Sequence, residues 1–256
     1  MPSAPRRRVE RRIASAGFTL LELMVVICIA GILMALLLPA LSQAKEKSRR
    51  SVCGQDMHQV IYALNMYGQE DEYQRLPAAT DNKGDYHSIE LSSATFTNLV
   101  VNYLDGVSNV LYCPNLVYAT GTMGGYNPAV GFTIGYSYLA AETKSAGAKG
   151  PSLDWMGPMK ASEVKEVIAD ANYWSTASSL TMTVAPHTVA GALVATANGA
   201  TAIPAIATPS PAGSACGAMG AKGGNIGFLS GTVCWRSINS LSQYPASTDG
   251  TCFGNW

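Results

Sequence analysis

One apolar run, FTLLELMVVICIAGILMALLLPAL over residues 18–41, restricts this chain more than any other feature, and Glu22 is its only charge. Its 24 residues at ~1.5 Å each make roughly 36 Å of helix, enough to cross a ~30 Å hydrocarbon core with some tilt. Arg6, Arg7, Arg8, Arg11 and Arg12 precede the run, and Lys45, Lys47, Arg49 and Arg50 follow it. The basic head favours a cytoplasmic amino terminus, although five cations against four set the orientation only weakly. A cleaved secretory signal would have a shorter apolar core, ending at a site such as Ala40-Leu41-Ser42 or Ser42-Gln43-Ala44. A plain anchor fits the length but leaves Glu22 without a purpose. A soluble core helix would show a polar face, and this run has none.

Overall charge is balanced, with 17 basic and 17 acidic groups, so nothing marks a nucleic-acid binder. The balance hides an asymmetry. Residues 1–17 hold five Arg and one Glu, leaving twelve basic against sixteen acidic groups, or −4, in the remaining 239. A basic head, an apolar run and a mildly acidic body form the layout of an exported or membrane-anchored protein.

A carboxylate at membrane depth costs roughly 2.5–3.5 kcal/mol on insertion scales. No cation lies within two helical turns of Glu22 in the apolar segment, so the sequence predicts a partner from outside this helix. Cleavage after Gly17 would create an amino group on Phe18, one turn from Glu22. That amine would pair with Glu22 of its own chain, or with Glu22 of a neighbouring copy, removing a charge penalty on assembly.

Gly17-Phe18-Thr19-Leu20-Leu21-Glu22, behind an Arg-rich leader and ahead of an apolar helix, resembles the class III signal of the type IV pilin superfamily. Counted from Phe18, Glu22 is fifth, Gly31 fourteenth and Pro39 twenty-second, and all three match residues which that family places there. The resemblance implies cleavage between Gly17 and Phe18, and N-methylation of Phe18, both by a prepilin peptidase. It also implies that Pro39 kinks or locally melts the helix, as in the family's assembled filaments.

Past Pro39 the pattern turns amphipathic. Cys53, Met57, Val60, Leu64 and Tyr67 form one stripe, which predicts a helix from about Phe18 to Tyr67 whose second half lies on a globular head. His58 falls off the stripe and reads as a solvated residue. Gly68 and Glu70-Asp71-Glu72 end the helix. The head reads as α+β, with a short helix over Ala94–Leu104 and strands over Ser108–Cys113, Phe132–Leu139 and Val164–Asp170. Two further runs, NIGFL and TVCWR, flank Ser230-Gly231 and suggest a hairpin. The expected organisation is a leader at 1–17, a transmembrane assembly helix at 18–41, a stalk at 42–70 and a periplasmic head at 71–256. Residues 171–221 form 51 consecutive positions without an Asp, Glu, Lys or Arg, and about 175–221 reads as a low-complexity insertion.

The segments VCGQDMHQVIYALNMYGQEDEYQRLP, LYCPN, GYSYLA, VIADAN and GGNIGFLSGTVCWR also resemble, in that order, the pseudopilin-like group abundant in planctomycetes and verrucomicrobia. That group usually has Asp-Gly where this chain has Ser230-Gly231; Gly231 still supplies the permissive conformation.

Cys28 lies in the apolar run and reads as filler, leaving Cys53, Cys113, Cys216, Cys234 and Cys252 in the exported part. Cys53 on the inward stripe and Cys113 at a strand end are the favoured disulfide, with Cys234–Cys252 second; reduced thiols are the alternative if the compartment is not oxidising. There is no Cys-x-x-Cys and no paired His, so spacing nominates no metal set, and His58, His87 and His187 fall on unrelated elements. Asp81-Asn82-Lys83-Gly84-Asp85 has a thin likeness to a calcium loop, but Lys83 stands where an oxygen ligand is wanted. No nucleophile elbow or phosphate loop appears, and no carboxylate pair is nominated, so no catalytic residue is assigned.

These expectations converge on a structural subunit of a pilin-like filament, either a pseudopilin of a type II secretion system or a type IV pilin. Its implied partners are a prepilin peptidase/methylase, other pilin or pseudopilin subunits, an assembly platform protein with its ATPase, and inner-membrane lipid, with no nucleic acid. The competing possibility is a membrane-anchored carbohydrate-active or ligand-binding head, which a deep polar pocket with converging Asp and Glu would favour.

Overall fold

The computed structural model describes residues 19–116, 125–139, 166–177, 181–188, 191–196, 199–202, 213–247 and 249–256. The first helix, α1, runs Leu20–Glu70. It stays helical through Pro39, the residue expected to kink or locally melt it. The chain divides into two compact units, Met1–Ser42 and Gln43–Trp256.

In the first unit the described residues are helical from Leu20 onward. Large apolar side chains from Leu20 to Leu41 stand exposed all round, Leu20 at 75% and Leu36 at 72%. Mean hydropathy reaches 2.8 over 18 residues, so the helix is long and apolar enough to cross a membrane. Ser42 Oγ donates to the Pro39 carbonyl at 2.9 Å.

The second unit is α+β, as expected. The rest of α1 buries Glu46, Cys53, Met57, Val60, Ile61, Ala63, Leu64 and Gly68, which includes four of the five stripe residues. Tyr67, the fifth, is half-buried and meets the Tyr103 ring edge-on at 5.5 Å between centroids. The strands are β1 (Glu90–Leu91), β2 (Tyr126–Asn127), β3 (Gly131–Thr133), β4 (Tyr136–Tyr138), β5 (Glu166–Asp170), β6 (Tyr173–Ser175), β7 (Met182–Ala185), β8 (Leu193–Thr196), β9 (Gly199–Ala202), β10 (Gly223–Phe228), β11 (Val233–Ser237), β12 (Gln243–Pro245) and β13 (Cys252–Asn255). A short helix, α2 (Ser93–Asn98), is capped by the Ser92 side chain and widens into a π-helical turn over Leu99–Tyr103. Pairing among the described residues is antiparallel throughout. It gives three sheets, ordered β1-β3-β2, β11-β10-β5-β4 and β12-β13-β6-β7-β8-β9.

The second half of α1 packs on the four-stranded sheet. A Cβ at Gly227 of β10 would stand 2.7 Å from both Ile61 Cδ1 and Ile168 Cγ2, so any larger residue there would push these side chains aside. Asn65 Nδ2 donates to the Leu229 carbonyl at 3.0 Å and Asn225 Nδ2 to that of Arg50 at 3.2 Å, binding helix to hairpin by backbone as well as by apolar contact. The β10–β11 hairpin forms as expected, with Gly231 at φ +90° in its turn.

Three local expectations are corrected. Residues 109–111 make a 3₁₀ turn in place of a strand, because Val110 and Leu111 both point inward, which successive strand residues facing opposite sides do not do beside a single core. Phe132–Leu139 is two strands in two sheets, β3 and β4. The described part of 171–221, where a low-complexity insertion was expected from about 175, carries strands β6–β9, with turns over 213–220. On this sheet Tyr173, Val184 and Val194 face the main core. Trp174, Ala185, Leu193 and Ala195 face a second core closed by Cys216, Met219 and Ala221. Burial on both faces leaves no place for charge in β6, β7 and β8.

Ile61 is fully buried at the helix–sheet contact. Ile61→Ala should destabilise the protein by about 2–5 kcal/mol, read as a lowered unfolding midpoint; an unchanged midpoint would contradict this packing.

Candidate functional site

Of the expected processing and assembly residues, Gly17 and Phe18 lie outside the described residues. Glu22 is described, and it has a local partner that the sequence analysis missed. Thr19 N–H and Thr19 Oγ1 both donate to Glu22 Oε2, at 2.8 and 2.7 Å, and Glu22 N–H donates back to Thr19 Oγ1 at 3.2 Å. This is a capping box, Thr-x-x-Glu, and the four-residue signature was present to be read. The expectation that a partner must come from outside the helix is therefore corrected for hydrogen bonding. Among the described residues no ion pair reaches Glu22.

A second constellation lies in the Gln43–Trp256 unit. Cys53 comes from α1, Cys113 from the turn after Leu111, Asp170 from the last position of β5 and His187 from just beyond β7. All four are fully buried, and their ligating atoms lie within 4.8 Å of one another. The Cys53 and Cys113 sulfurs, the favoured disulfide pair, lie 3.0 Å apart and are not bonded to each other. Cys234 on β11 and Cys252 on β13 are likewise free and belong to different sheets; Cys252 Sγ accepts from Tyr173 Oη at 2.8 Å.

His187 is the centre of the constellation. Its Nε2 stands 3.2 Å from Asp170 Oδ2 and 4.0 Å from Cys113 Sγ, while its Nδ1 lies 2.7 Å from Glu46 Oε1. Glu46 is in turn held by Arg50 Nε at 3.1 Å and Asn115 Nδ2 at 3.0 Å. Lys222 N–H donates to the His187 carbonyl at 2.8 Å, fixing the backbone. Trp235 closes one side, edge-on to the imidazole at 5.4 Å, with the Arg50 guanidinium 3.9 Å over its ring. Asp170 Oδ2 also accepts from Asn225 N at 2.6 Å and Nδ2 at 3.1 Å. Asp170 Oδ1, although buried, has no hydrogen-bond partner among the described residues.

Burial alone would push the His187 imidazole down, but Asp170, Cys113 and Glu46 hold it well above its ordinary value. Burial pushes the Cys113 thiol up, and hydrogen bonding to Cys53 and His187 brings it down to about 7. Hydrogen bonding to Cys113, together with burial, pushes Cys53 up.

Other expected features are plainer. In the Asp81–Asp85 segment Asp81 Oδ1 accepts from the backbone N–H of Lys83 and Asp85, at 2.8 and 2.9 Å, and so caps a turn. A cleft of about 490 Å³ is lined by Gln43, Glu46, Lys47, Arg50, Thr188 and Lys222, three cations to one carboxylate. That is not the pair of converging carboxylates expected of a sugar hydrolase. His58 is half-buried and lines a second, shallower concavity with Arg50, Asn225 and Trp235.

The capped apolar helix carrying Glu22 agrees with what comparison with known proteins finds. Residues 12–38 match the family described as the prokaryotic N-terminal methylation motif. The match takes in Phe18, Glu22 and the first part of the apolar helix. The chain is similar to the type II secretion system core protein G of Klebsiella michiganensis, 47% identical over 57 residues, which cover 22% of this chain and 40% of the relative. The protein of the same name from Pectobacterium carotovorum is 49% identical over 51 residues, 20% of this chain and 33% of the relative. That of Escherichia coli K12 is 37% identical over 87 residues, 34% and 56% respectively. The chain thus spans between a third and just over half the length of these curated relatives. No solved structure matches it.

Asn225→Ala removes a side-chain donor to Asp170 and another to the Arg50 carbonyl. It should cost about 1–3 kcal/mol of stability, visible in a denaturant titration; a neutral effect would show that these bonds do not hold β10 to α1.

Proposed function

We propose that this chain is a structural subunit of a pilin-like filament, a pseudopilin of a type II secretion system. The observation that carries the proposal is the methylation motif over residues 12–38, continued by a helix whose large apolar side chains are exposed to Leu41 with Glu22 at its start. Such a surface is costly in water and suits first a bilayer and then a bundle of like helices. A prepilin peptidase cleaves between Gly17 and Phe18 and methylates the new amine. The chain waits in the inner membrane, amino terminus cytoplasmic, until a platform protein and its ATPase add it to the filament.

The capping box gives assembly a geometry. Both Thr19 donors converge on Glu22 Oε2, and no described group donates to Oε1. Oε1 receives the Phe18 amine of the adjoining subunit, while Oε2 stays with Thr19. Each added subunit thereby cancels one charge in an apolar surround, where the attraction is far stronger than in water. The relatives' name, core protein G of type II secretion systems, favours this machine over a type IV pilus. A structural role also fits the cationic cleft, which holds no carboxylate pair.

Mass spectrometry of the protein from its own membranes should find an amino terminus at methylated Phe18. A product beginning beyond residue 41 would overturn the proposal. Glu22→Ala should leave insertion and cleavage intact and lower filament yield at least tenfold, scored in sheared fractions; normal yield would remove the charge-pairing step.

A further inference from the structure

We propose that Cys53, Cys113, Asp170 and His187 form a structural site for a divalent transition metal, zinc by ligand chemistry, that fastens α1 to the sheets. This inference is independent of the filament reading.

The donor set is the first argument. Two thiols, an imidazole nitrogen and a carboxylate, all fully buried, converge within 4.8 Å. Bond lengths of ~2.3 Å to sulfur and ~2.0–2.2 Å to nitrogen or oxygen place tetrahedral donors roughly 3.3–3.8 Å apart. The separations straddle that range: 3.0 Å between the sulfurs, 3.2 Å from His187 Nε2 to Asp170 Oδ2 and 4.0 Å from Nε2 to Cys113 Sγ. Soft thiolates with imidazole select zinc over calcium or magnesium, which prefer all-oxygen shells.

The surroundings are the second argument. A disulfide between Cys53 and Cys113 would need neither an imidazole nor a carboxylate, and burying both beside it would be costly. A metal uses both. Glu46 Oε1 sits 2.7 Å from Nδ1, the far nitrogen, where it accepts the Nδ1 proton and turns Nε2 inward, the carboxylate–histidine arrangement that orients metal-bound imidazoles. Asp170 Oδ1 is a buried oxygen without a partner among the described residues, and a metal held by both oxygens of this carboxylate would supply one. Glu46 also lines the cationic cleft, so the path from solvent to His187 is one side chain long.

Binding is not a redox step. Two thiol protons and the second imidazole proton leave to solvent as the divalent ion enters. Two thiolates, the Asp170 carboxylate and the ion then sum to −1, with Glu46 offset by Arg50 at 3.1 Å. The four ligands come from four elements, so the ion acts as a cross-link.

The test uses the full-length protein purified in detergent with thiols kept reduced. After addition of zinc and removal of excess, elemental analysis should find one zinc per chain. Cobalt added to the metal-free chain should give the thiolate charge-transfer band and intense visible bands of a four-coordinate centre. His187→Gln and Cys113→Ser should abolish both signals; the cobalt spectrum of the unaltered chain decides the matter even if these variants fail to fold. Chains that retain no zinc and give only the weak spectrum of hydrated cobalt would overturn the site. So would a Cys53–Cys113 disulfide in protein isolated from its own cells with thiols blocked at lysis.

Discussion

Two carboxylates and two thiols closing on one imidazole in the protein interior is the arrangement around which the Gln43–Trp256 unit is organised. Removing such groups from water is tolerable only when every charge meets an opposite charge or a donor. Here Glu46 and Arg50 from α1, Asn115 from the segment after Cys113, Asp170 from β5 and Asn225 from β10 supply those partners. Because the groups belong to separate elements, satisfying one of them positions the next. The apolar contacts of α1 set how close helix and sheet come, while the polar cluster sets their register.

The helix itself answers to two solvents. Between Leu20 and Leu41 its large apolar side chains are exposed, whereas from Cys53 to Leu64 an inward stripe is buried. No single environment accommodates both patterns, so the two parts of α1 carry different tasks. The apolar part offers a surface for lipid or like helices, and the amphipathic part anchors the head. Glu22 belongs to the first part and is already half-provided for, with Thr19 taking one carboxylate oxygen.

Residues adjacent in sequence were read well. The stripe from Cys53 to Leu64, the end of α1 near Gly68, strand β5 and the Ser230-Gly231 hairpin all follow from periodicity and turn chemistry. Capping by Thr19 was equally local and could have been read from Thr-x-x-Glu. Strands β6–β8 lie within a stretch that reads as a low-complexity insertion, because absence of charge alone does not separate an insertion from a strand covered on both faces. Val110 and Leu111 were misjudged because both are buried by packing that no short window reveals.

The amino-acid sequence alone settled what covalent order can settle: an apolar helix with one acid at its start, an amphipathic continuation, and a mixed head. The convergence of residues 53, 113, 170 and 187 was decided only by the tertiary structure. No spacing rule joins positions so far apart, since their meeting depends on how strands pair and on which face α1 presents to them. Local chemistry travels along the chain over a few residues, whereas a buried polar site is assembled by long-range packing.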